Sequence, residues 1–160
     1  HGDFDDDLKV VATGAIDKII KKMNTLHVAD SMDEIWKVVD RANKYIDETT
    51  PWVLAKNEDD KPRLGTVLYN LVETIRIIAA LLSSYMPETS KKIAEQIGAD
   101  DLSFESTKTF GETKAGTKVG EAVPLFQRID AEKKLAELEE QDFISFKNKY
   151  IIVKTKKDLK

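Results

Sequence analysis

The sequence predicts an all-α protein, in which an antiparallel helical bundle is followed by an irregular C-terminal extension. Apolar residues recur at three- and four-residue spacings along four segments before Gly98, which is the pattern of amphipathic helices. Residues that start and stop helices separate these segments. After Gly98 the periodicity is lost and the chain becomes rich in Gly, Thr and Lys. At 160 residues the chain is long enough for one domain with a sizeable core.

The first predicted helix extends from Asp5 to Leu26. Aspartates at its start and lysines near its end complement the helix dipole at both poles. Gly14 lies in the middle, where glycine costs about 1 kcal/mol relative to alanine. The acidic cluster lacks the spacing and the final glutamate of a calcium loop, so helix-end electrostatics is the favoured interpretation of Asp3, Asp5, Asp6 and Asp7.

The second predicted helix has a more distinct start. Ser31 and Glu34 have the spacing of a capping box, in which each side chain satisfies an N–H group at the helix end. The helix is expected to stop at Thr49 and Thr50, because a residue before proline is pushed out of the α region and Pro51 follows.

Two more helices are predicted before the composition changes. The third begins after Asp60, with Pro62 in its tolerant first turn, and is the most apolar and therefore central. A short last helix extends from Pro87 to Ile97 and ends at Gly98, a residue suited to the left-handed conformation that closes helices.

The remaining chain divides by composition. We predict a bundle over residues 1–98, a connector that packs back over residues 99–130, and a linker or extension over residues 131–160. Within the extension, residues 131–141 have a helical composition, and residues 143–153 alternate as a strand would.

Composition excludes several function classes. Cysteine is absent, which rules out thiol catalysis, thiolate metal sites and a disulfide framework. Histidine occurs only twice, which argues against a histidine-rich zinc site. No nucleophile–base pair emerges, so we predict no catalytic residue and no metal ligand. No run of about 18 uncharged apolar residues suggests a membrane span. The acidic first residues do not match a signal peptide.

Two features bear on anion binding. The loop Gly111–Lys118 resembles a phosphate-cradling loop in composition, but its threonine precedes lysine where the motif requires the reverse order, so we predict a connector. The net charge of −4 argues against a general nucleic-acid coat. This net charge does not exclude a locally basic face.

One stretch combines a basic strip with an aromatic residue. Lys37, Arg41 and Lys44 recur at helical spacing on the helix that leads to Trp52, and Lys56 follows. Cations neutralise phosphates and base–aromatic stacking contributes roughly 1–3 kcal/mol per base, so this pattern suits single-stranded nucleic acid. Such a cationic face is more often merely solvated, and a tryptophan at a helix end can instead be buried in the core. Spacing alone leaves both interpretations open.

The same stretch resembles a known family. Asn43–Asp47 followed by Pro51–Lys56 is similar to a signature of the anticodon-binding domain of bacterial methionyl-tRNA synthetases, which are class I aminoacyl-tRNA synthetases. Leu68–Leu71, Met86–Thr89 and Leu125–Asp130 resemble later segments of that domain. The resemblance covers roughly residues 5–130.

This resemblance implies roles for particular residues. Trp52, at the corner made by Pro51, would stack on a base of the methionine anticodon CAU. Asn43 and Asp47 would shape the pocket or contact the loop. Charge and position alone, without a family motif, make Arg41, Lys44 and Lys56 candidate phosphate contacts.

The resemblance also implies which longer enzyme such a domain belongs to. The whole enzyme would ligate methionine to its tRNA in the cytoplasm, using ATP and allowing for zinc in a catalytic region that this chain lacks. The HIGH-type and KMSKS-type motifs, and the preceding helix whose Asn and Arg read the anticodon, are not found here. We therefore expect a C-terminal fragment with an incomplete anticodon site, no cofactor and no activity in isolation.

Partners follow from the same argument. The expected ones are methionine-accepting tRNA and the catalytic domain of the same chain, with no membrane. The alternative is a non-catalytic helical protein-interaction module. A Trp52 ring enclosed by bundle side chains would favour that alternative, and a ring exposed in a groove near Lys44 and Lys56 would favour anticodon binding.

Overall fold

Helices account for most of the computed structural model, which describes residues 2, 4–114, 116–126 and 128–140. Contacts divide the chain into two units, His1–Leu125 and Phe126–Lys160. No β-strand occurs among the described residues, and the all-α prediction is confirmed. The α-helices of the first unit are α1 (Asp5–Thr13), α2 (Ala15–Met23), α3 (Val28–Thr49), α4 (Pro51–Leu54), α5 (Lys61–Leu82) and α6 (Pro87–Ile97). Two short 3₁₀ helices, Glu58–Asp60 and Glu105–Lys108, complete it.

Helix α5 is the centre of the bundle. It packs against α1, α3, α4 and α6. By length and composition alone, Glu58–Leu82 could cross a membrane, but 56% of its most apolar window is buried inside the first unit. The central, buried helix predicted from the apolar stripe is therefore present, with Pro62 in its first turn.

The core consists of two apolar clusters. The larger one joins α1, α2, α3 and α5 through Ala12, Ala15, Ile16, Ile19, Ile35, Val38, Ile77, Ile78, Leu81 and Leu82. The smaller one, near the start of α1, contains Leu8, Ala42, Tyr45 and Val67. Burying large aliphatic side chains stabilises the fold by roughly 1.5–3 kcal/mol each.

The prediction of one helix from Asp5 to Leu26 is wrong in its continuity and in its end. Gly14 separates α1 from α2, with a ψ of −6° that bends the chain between them. The second piece ends at Met23, and Leu26 lies beyond it at a φ of 61°. Periodicity did not reveal the break because α1 and α2 both continue the same apolar stripe.

The capping box is also wrong. Helix α3 begins at Val28, one turn before the predicted start, so Ser31 and Glu34 lie inside it and are buried. Ser31 Oγ lies 2.7 Å from the Tyr85 hydroxyl, and the Glu34 carboxylate lies 2.7 Å from Lys22 Nζ. These residues make contacts between helices, which a local cap motif cannot distinguish from a helix start.

The end of α6 agrees with the sequence. Gly98 closes the helix at a φ of 66°, and a Cβ there would lie 2.9 Å from the Lys118 carbonyl oxygen. Conformation and close approach both require glycine. The connector continues along α6, where the Gly120 N–H donates to the Gln96 carbonyl at 2.7 Å.

The second unit contains a helix over residues 131–140. It lies in the segment for which the sequence predicts helix. The strand predicted for residues 143–153 lies outside the described residues.

Candidate nucleic-acid interface

The Trp52 corner, Thr50–Leu54, is a sharp turn between two helices. Helix α3 ends at Thr49, and Thr50 alone separates it from the single turn of α4. Pro51 occupies the first position of α4, where its missing N–H needs no partner. The Trp52 side chain that follows is 54% exposed. The corner therefore offers a large aromatic ring to solvent.

Backbone hydrogen bonds hold this corner together. The Thr50 N–H donates to the Ile46 carbonyl at 2.9 Å, which closes α3. The Thr50 carbonyl accepts from the Val53 N–H at 2.8 Å and from the Leu54 N–H at 3.3 Å, which starts α4. One residue thus caps two helices, and the direction of α4 depends on its backbone angles.

The other polar candidates lie on the surface of the last turns of α3. Asn43 and Asp47 are exposed and are spaced by four residues, which places them on the same helix face. Their face leads toward the Trp52 corner along the helix. Both residues present polar groups, an amide and a carboxylate, on the surface of α3.

Two of the candidate cations are also exposed. The Lys44 side chain is 70% exposed and lies 3.6 Å from Glu48, a distance at which it can still meet a phosphate. Lys56 is exposed just after α4. These two lysines lie on either side of the Trp52 corner in the chain.

Arg41, the third candidate phosphate contact, is not exposed. Its side chain is buried, and its Nε donates to the Asp7 carboxylate. Its Nη1 lies 3.0 Å from a Glu48 carboxylate oxygen. The predicted strip of three cations is therefore interrupted, since this guanidinium is already neutralised inside the bundle. We leave it out of the candidate phosphate contacts.

A buried polar network lies in the same part of the bundle. The Asp5 carboxylate accepts from both terminal nitrogens of Arg63, at 2.7 and 2.8 Å, and from the Tyr45 hydroxyl at 2.6 Å. Asn70 donates to the same hydroxyl at 3.1 Å. The paired Arg63 guanidinium holds the pKa of Asp5 well below its ordinary value against the opposing effect of burial. The network joins α1, α3 and α5 next to the smaller core cluster.

Sequence reasoning missed this network. It interpreted Asp5 through the helix dipole and gave no partner to Arg63. The two residues are separated by 58 positions, and no local pattern links them. Their pairing follows only from the packing of α1 on α5.

A second polar cluster, the Glu73 nest, forms where the connector crosses α5. The buried Glu73 carboxylate accepts from the backbone N–H groups of Gly111, Glu112 and Thr113 at 2.9 to 3.1 Å. Arg76 donates to the same carboxylate at 2.6 Å. Burial raises the pKa of Glu73, but the bonds from Arg76 and Thr113 outweigh it and lower the pKa to about 2.

The Glu73 nest accounts for the first three residues of the 111–118 loop. Successive N–H groups form an anion-binding concavity, and Gly111 adopts a φ of 109° there. The bound anion is the protein's own carboxylate. The signal in the sequence is an acidic and a basic residue three positions apart, Glu73 and Arg76, which interrupt an otherwise apolar helix.

Comparison with known proteins agrees with the helical fold. The family model described as the anticodon binding domain of methionyl tRNA ligase matches residues 1–144. A methionine–tRNA ligase of Clostridium tetani is 52% identical over 135 residues, which cover 84% of this chain and 21% of that protein. One from Caldanaerobacter subterraneus is 50% identical over 140 residues, with 87% and 22% covered.

A solved structure shows the same architecture. The apo methionyl-tRNA synthetase of Mycobacterium tuberculosis superposes with a TM-score of 0.75 at 29% identity, over 81% of this chain and 27% of that one. The chain spans about a fifth of the length of the curated relatives that it matches. With a family match over nine tenths of its length and a shared helical fold, this chain belongs to the family of anticodon-binding domains of methionyl-tRNA ligases.

Proposed function

We propose that this chain recognises the anticodon of methionine-accepting tRNA by stacking Trp52 on an anticodon base. The observation that carries the proposal is the exposure of this ring on a corner built from backbone hydrogen bonds. A ring that is already held outward loses little conformational freedom when a base stacks on it. Membership of the anticodon-binding family supplies the partner.

The surrounding side chains have complementary roles in this proposal. Asn43 and Asp47 offer hydrogen-bonding groups to base edges, while Lys44 and Lys56 neutralise phosphates of the loop. Base contacts carry specificity, and phosphate contacts carry affinity and salt dependence. The cations that this proposal uses beside Trp52 are two exposed lysines, Lys44 and Lys56.

The chain itself performs no chemistry in this proposal. In a longer protein it would position the tRNA, while methionine and ATP react in a separate catalytic domain in the cytoplasm. A methionyl-tRNA synthetase of Mycobacterium tuberculosis, of which this chain covers 26%, is described in complex with methionyl-adenylate. The catalytic domain and tRNA are then the two partners of this chain.

Substitution of Trp52 tests the proposal directly. A stem-loop RNA with a CAU anticodon is titrated into the chain, and binding is followed by NMR. We expect Trp52→Ala to weaken binding about 5- to 150-fold, which corresponds to the loss of one stacked base. In an enzyme that also carries the catalytic domain, the same change should lower aminoacylation and spare ATP–pyrophosphate exchange.

Two control variants separate stacking from other contributions. Trp36→Phe alters the other tryptophan, which is 48% exposed earlier in α3, and should leave the affinity unchanged. Lys56→Ala should weaken binding equally for CAU and for altered anticodons, because a phosphate contact carries no base information. Unchanged RNA affinity in Trp52→Ala would exclude the assignment.

A further inference from the structure

The single turn of α4, which carries Trp52, does not hold its position by local preference. An isolated helix shorter than about 12–15 residues is marginal in water, and α4 has four residues. The joint before it is unfavourable as well, because Thr50 has a φ of 42° and a ψ of 60°, a left-handed conformation that a β-branched residue disfavours. Such a conformation persists only where the surrounding structure imposes it. The position of α4 therefore comes from its packing on the bundle.

Leu54 is the α4 side chain that packs on the core. It is half-buried against the smaller core cluster, which contains Tyr45 and Val67. Helix α4 packs against α5, the helix that supplies Val67 to this cluster. The two side chains before Leu54, those of Trp52 and Val53, are exposed. Leu54 is thus the apolar anchor of this turn.

The cluster that Leu54 packs against is itself held in place. Tyr45 is fully buried, and its hydroxyl donates to the Asp5 carboxylate at 2.6 Å and accepts from Asn70 at 3.1 Å. Arg63 holds the same carboxylate from α5. These bonds tie the Tyr45 side chain to α1 and α5, so a leucine that packs on it contacts a surface fixed by three helices.

Leu54 and Trp52 lie on opposite sides of one helical turn. Consecutive residues of an α-helix are rotated by about 100°, so side chains two positions apart differ in direction by about 200°. The N–H groups of Val53 and Leu54 both donate to the Thr50 carbonyl, which keeps the backbone of this turn closed. A leucine held on the inner side therefore directs the tryptophan ring outward.

We propose that Leu54 is a positioning residue for Trp52, which anchors α4 to the core and so orients the ring toward solvent before RNA binds. This inference rests on the proposed role of Trp52 in anticodon binding. Leu54 touches no base in this mechanism and acts only through the backbone of α4. A ring that is held in one direction binds a base more tightly, because less conformational freedom is lost on binding.

Leu54→Ala is the decisive variant, and Leu71→Ala is its matched control. Leu71 is also half-buried against the smaller core cluster, but it belongs to α5 and not to the turn that carries Trp52. Both truncations remove apolar contacts with the cluster, so each should lower the melting temperature by about 3–10 °C. Leu54→Met keeps the volume and the apolar contact, so it should behave as the original protein.

The ¹⁵N relaxation of the two indole N–H groups reports order, with Trp36 as the internal reference, at a temperature at which circular dichroism shows every variant to be folded. We expect Leu54→Ala to lower the order parameter of the Trp52 indole and to leave that of Trp36 unchanged. The dissociation constant for the CAU stem-loop should rise about three- to tenfold in this variant. Leu71→Ala and Leu54→Met should match the original protein in both measurements. If Leu54→Ala does not fold, Leu54→Val, which removes one methylene group, should change both quantities in the same direction by less.

The outcomes separate this inference from the proposed function. If Trp52→Ala leaves RNA binding unchanged, the proposed function fails. If Trp52→Ala weakens binding while Leu54→Ala changes neither indole order nor affinity, the role of Leu54 alone is overturned. A Trp52 indole that is equally loose in Leu71→Ala or in Leu54→Met overturns it as well, and so does a looser indole in Leu54→Ala with unchanged affinity.

Discussion

The Trp52 corner and the Glu73 nest are both short turns beside a long helix, but they differ in what their groups contact. In the Glu73 nest, backbone N–H groups converge on a carboxylate that belongs to the same domain. In the Trp52 corner, backbone groups satisfy one another and the side chain is left in solvent. The Glu73 nest therefore already holds its anion, the Glu73 carboxylate, whereas the Trp52 corner leaves its aromatic ring exposed.

Under the proposed function, this difference separates a structural site, the Glu73 nest, from a candidate binding site, the Trp52 corner. A buried charge whose hydrogen bonds are all made inside the chain stabilises the fold and has nothing left to offer a partner. An exposed ring on a strained joint contributes little to stability and retains its binding surface. The comparison predicts that mutations in the Glu73 nest act on folding, and that mutations in the Trp52 corner act on RNA.

The largest effect is expected for Glu73→Ala. It leaves the buried Arg76 charge without its carboxylate and three N–H groups without their acceptor, so we expect a loss of about 3–5 kcal/mol in the free energy of unfolding. Urea denaturation followed by circular dichroism measures it. Glu73→Gln keeps the side-chain shape and an acceptor oxygen, so it should lose less of the free energy of unfolding. Its stability should therefore lie between those of the original protein and of Glu73→Ala.

Glu112→Ala is the matched control for that change. This residue is exposed and supplies only its backbone N–H to the nest, so stability should stay within about 0.5 kcal/mol of the original. Equal losses in Glu73→Ala and Glu112→Ala would contradict the structural role of the Glu73 carboxylate.

Acid should weaken the fold through the nest by a smaller amount. The pKa of Glu73 is lowered from 4.5 to about 2, so the unfolded chain takes up a proton at a higher pH than the folded one. The stabilisation is complete above about pH 4.5 and is lost as the pH falls toward 2. Asp5, whose pKa is also lowered, adds to the loss in the same direction.

Denaturation midpoints between pH 7 and pH 2.5 test this expectation. Glu73→Gln cannot titrate at that position and should show a shallower decline. Trp52→Ala should decline as steeply as the original protein, because the corner holds no carboxylate of this kind. Parallel curves for Glu73→Gln and the original would show that the Glu73 pKa is not lowered.

A small effect on stability, above only that of the Glu112→Ala control, is expected for Trp52→Ala. About half of the ring is in water in the folded state, so its removal should cost about 1 kcal/mol. Trp36→Ala, at a similar exposure, provides the comparison in the same denaturation assay. A loss above about 3 kcal/mol for Trp52→Ala would indicate a core residue and would remove the contrast with the Glu73 nest.

Local sequence patterns predicted the features that depend on only a few neighbouring residues. The end of α3 before Pro51, the start of α5 around Pro62 and the closing role of Gly98 depend on backbone preferences of one to three residues. These were predicted correctly. The apolar stripes likewise identified the buried faces, because helical periodicity is a property of neighbouring positions.

Local sequence patterns failed to predict contacts between segments that are distant in the sequence. The Ser31–Glu34 spacing fits a helix cap, but these side chains instead contact Tyr85 and Lys22. Arg41 has the spacing of an exposed cationic strip, yet packing places it between Asp7 and Glu48. Sequence distance hides such pairings, since a charge looks the same whether its partner is solvent or a remote carboxylate.

The Trp52 corner depends on both kinds of information. The sequence by itself determined that a helix ends before Pro51 and that a tryptophan follows, because proline geometry and helix propensity act within a few residues. Only the tertiary structure decided that the ring remains exposed, that Thr50 takes a strained left-handed conformation, and that Arg41 is withdrawn into the bundle. Those outcomes are set by packing between helices, which balances the burial of each side chain against every other element that competes for the same space.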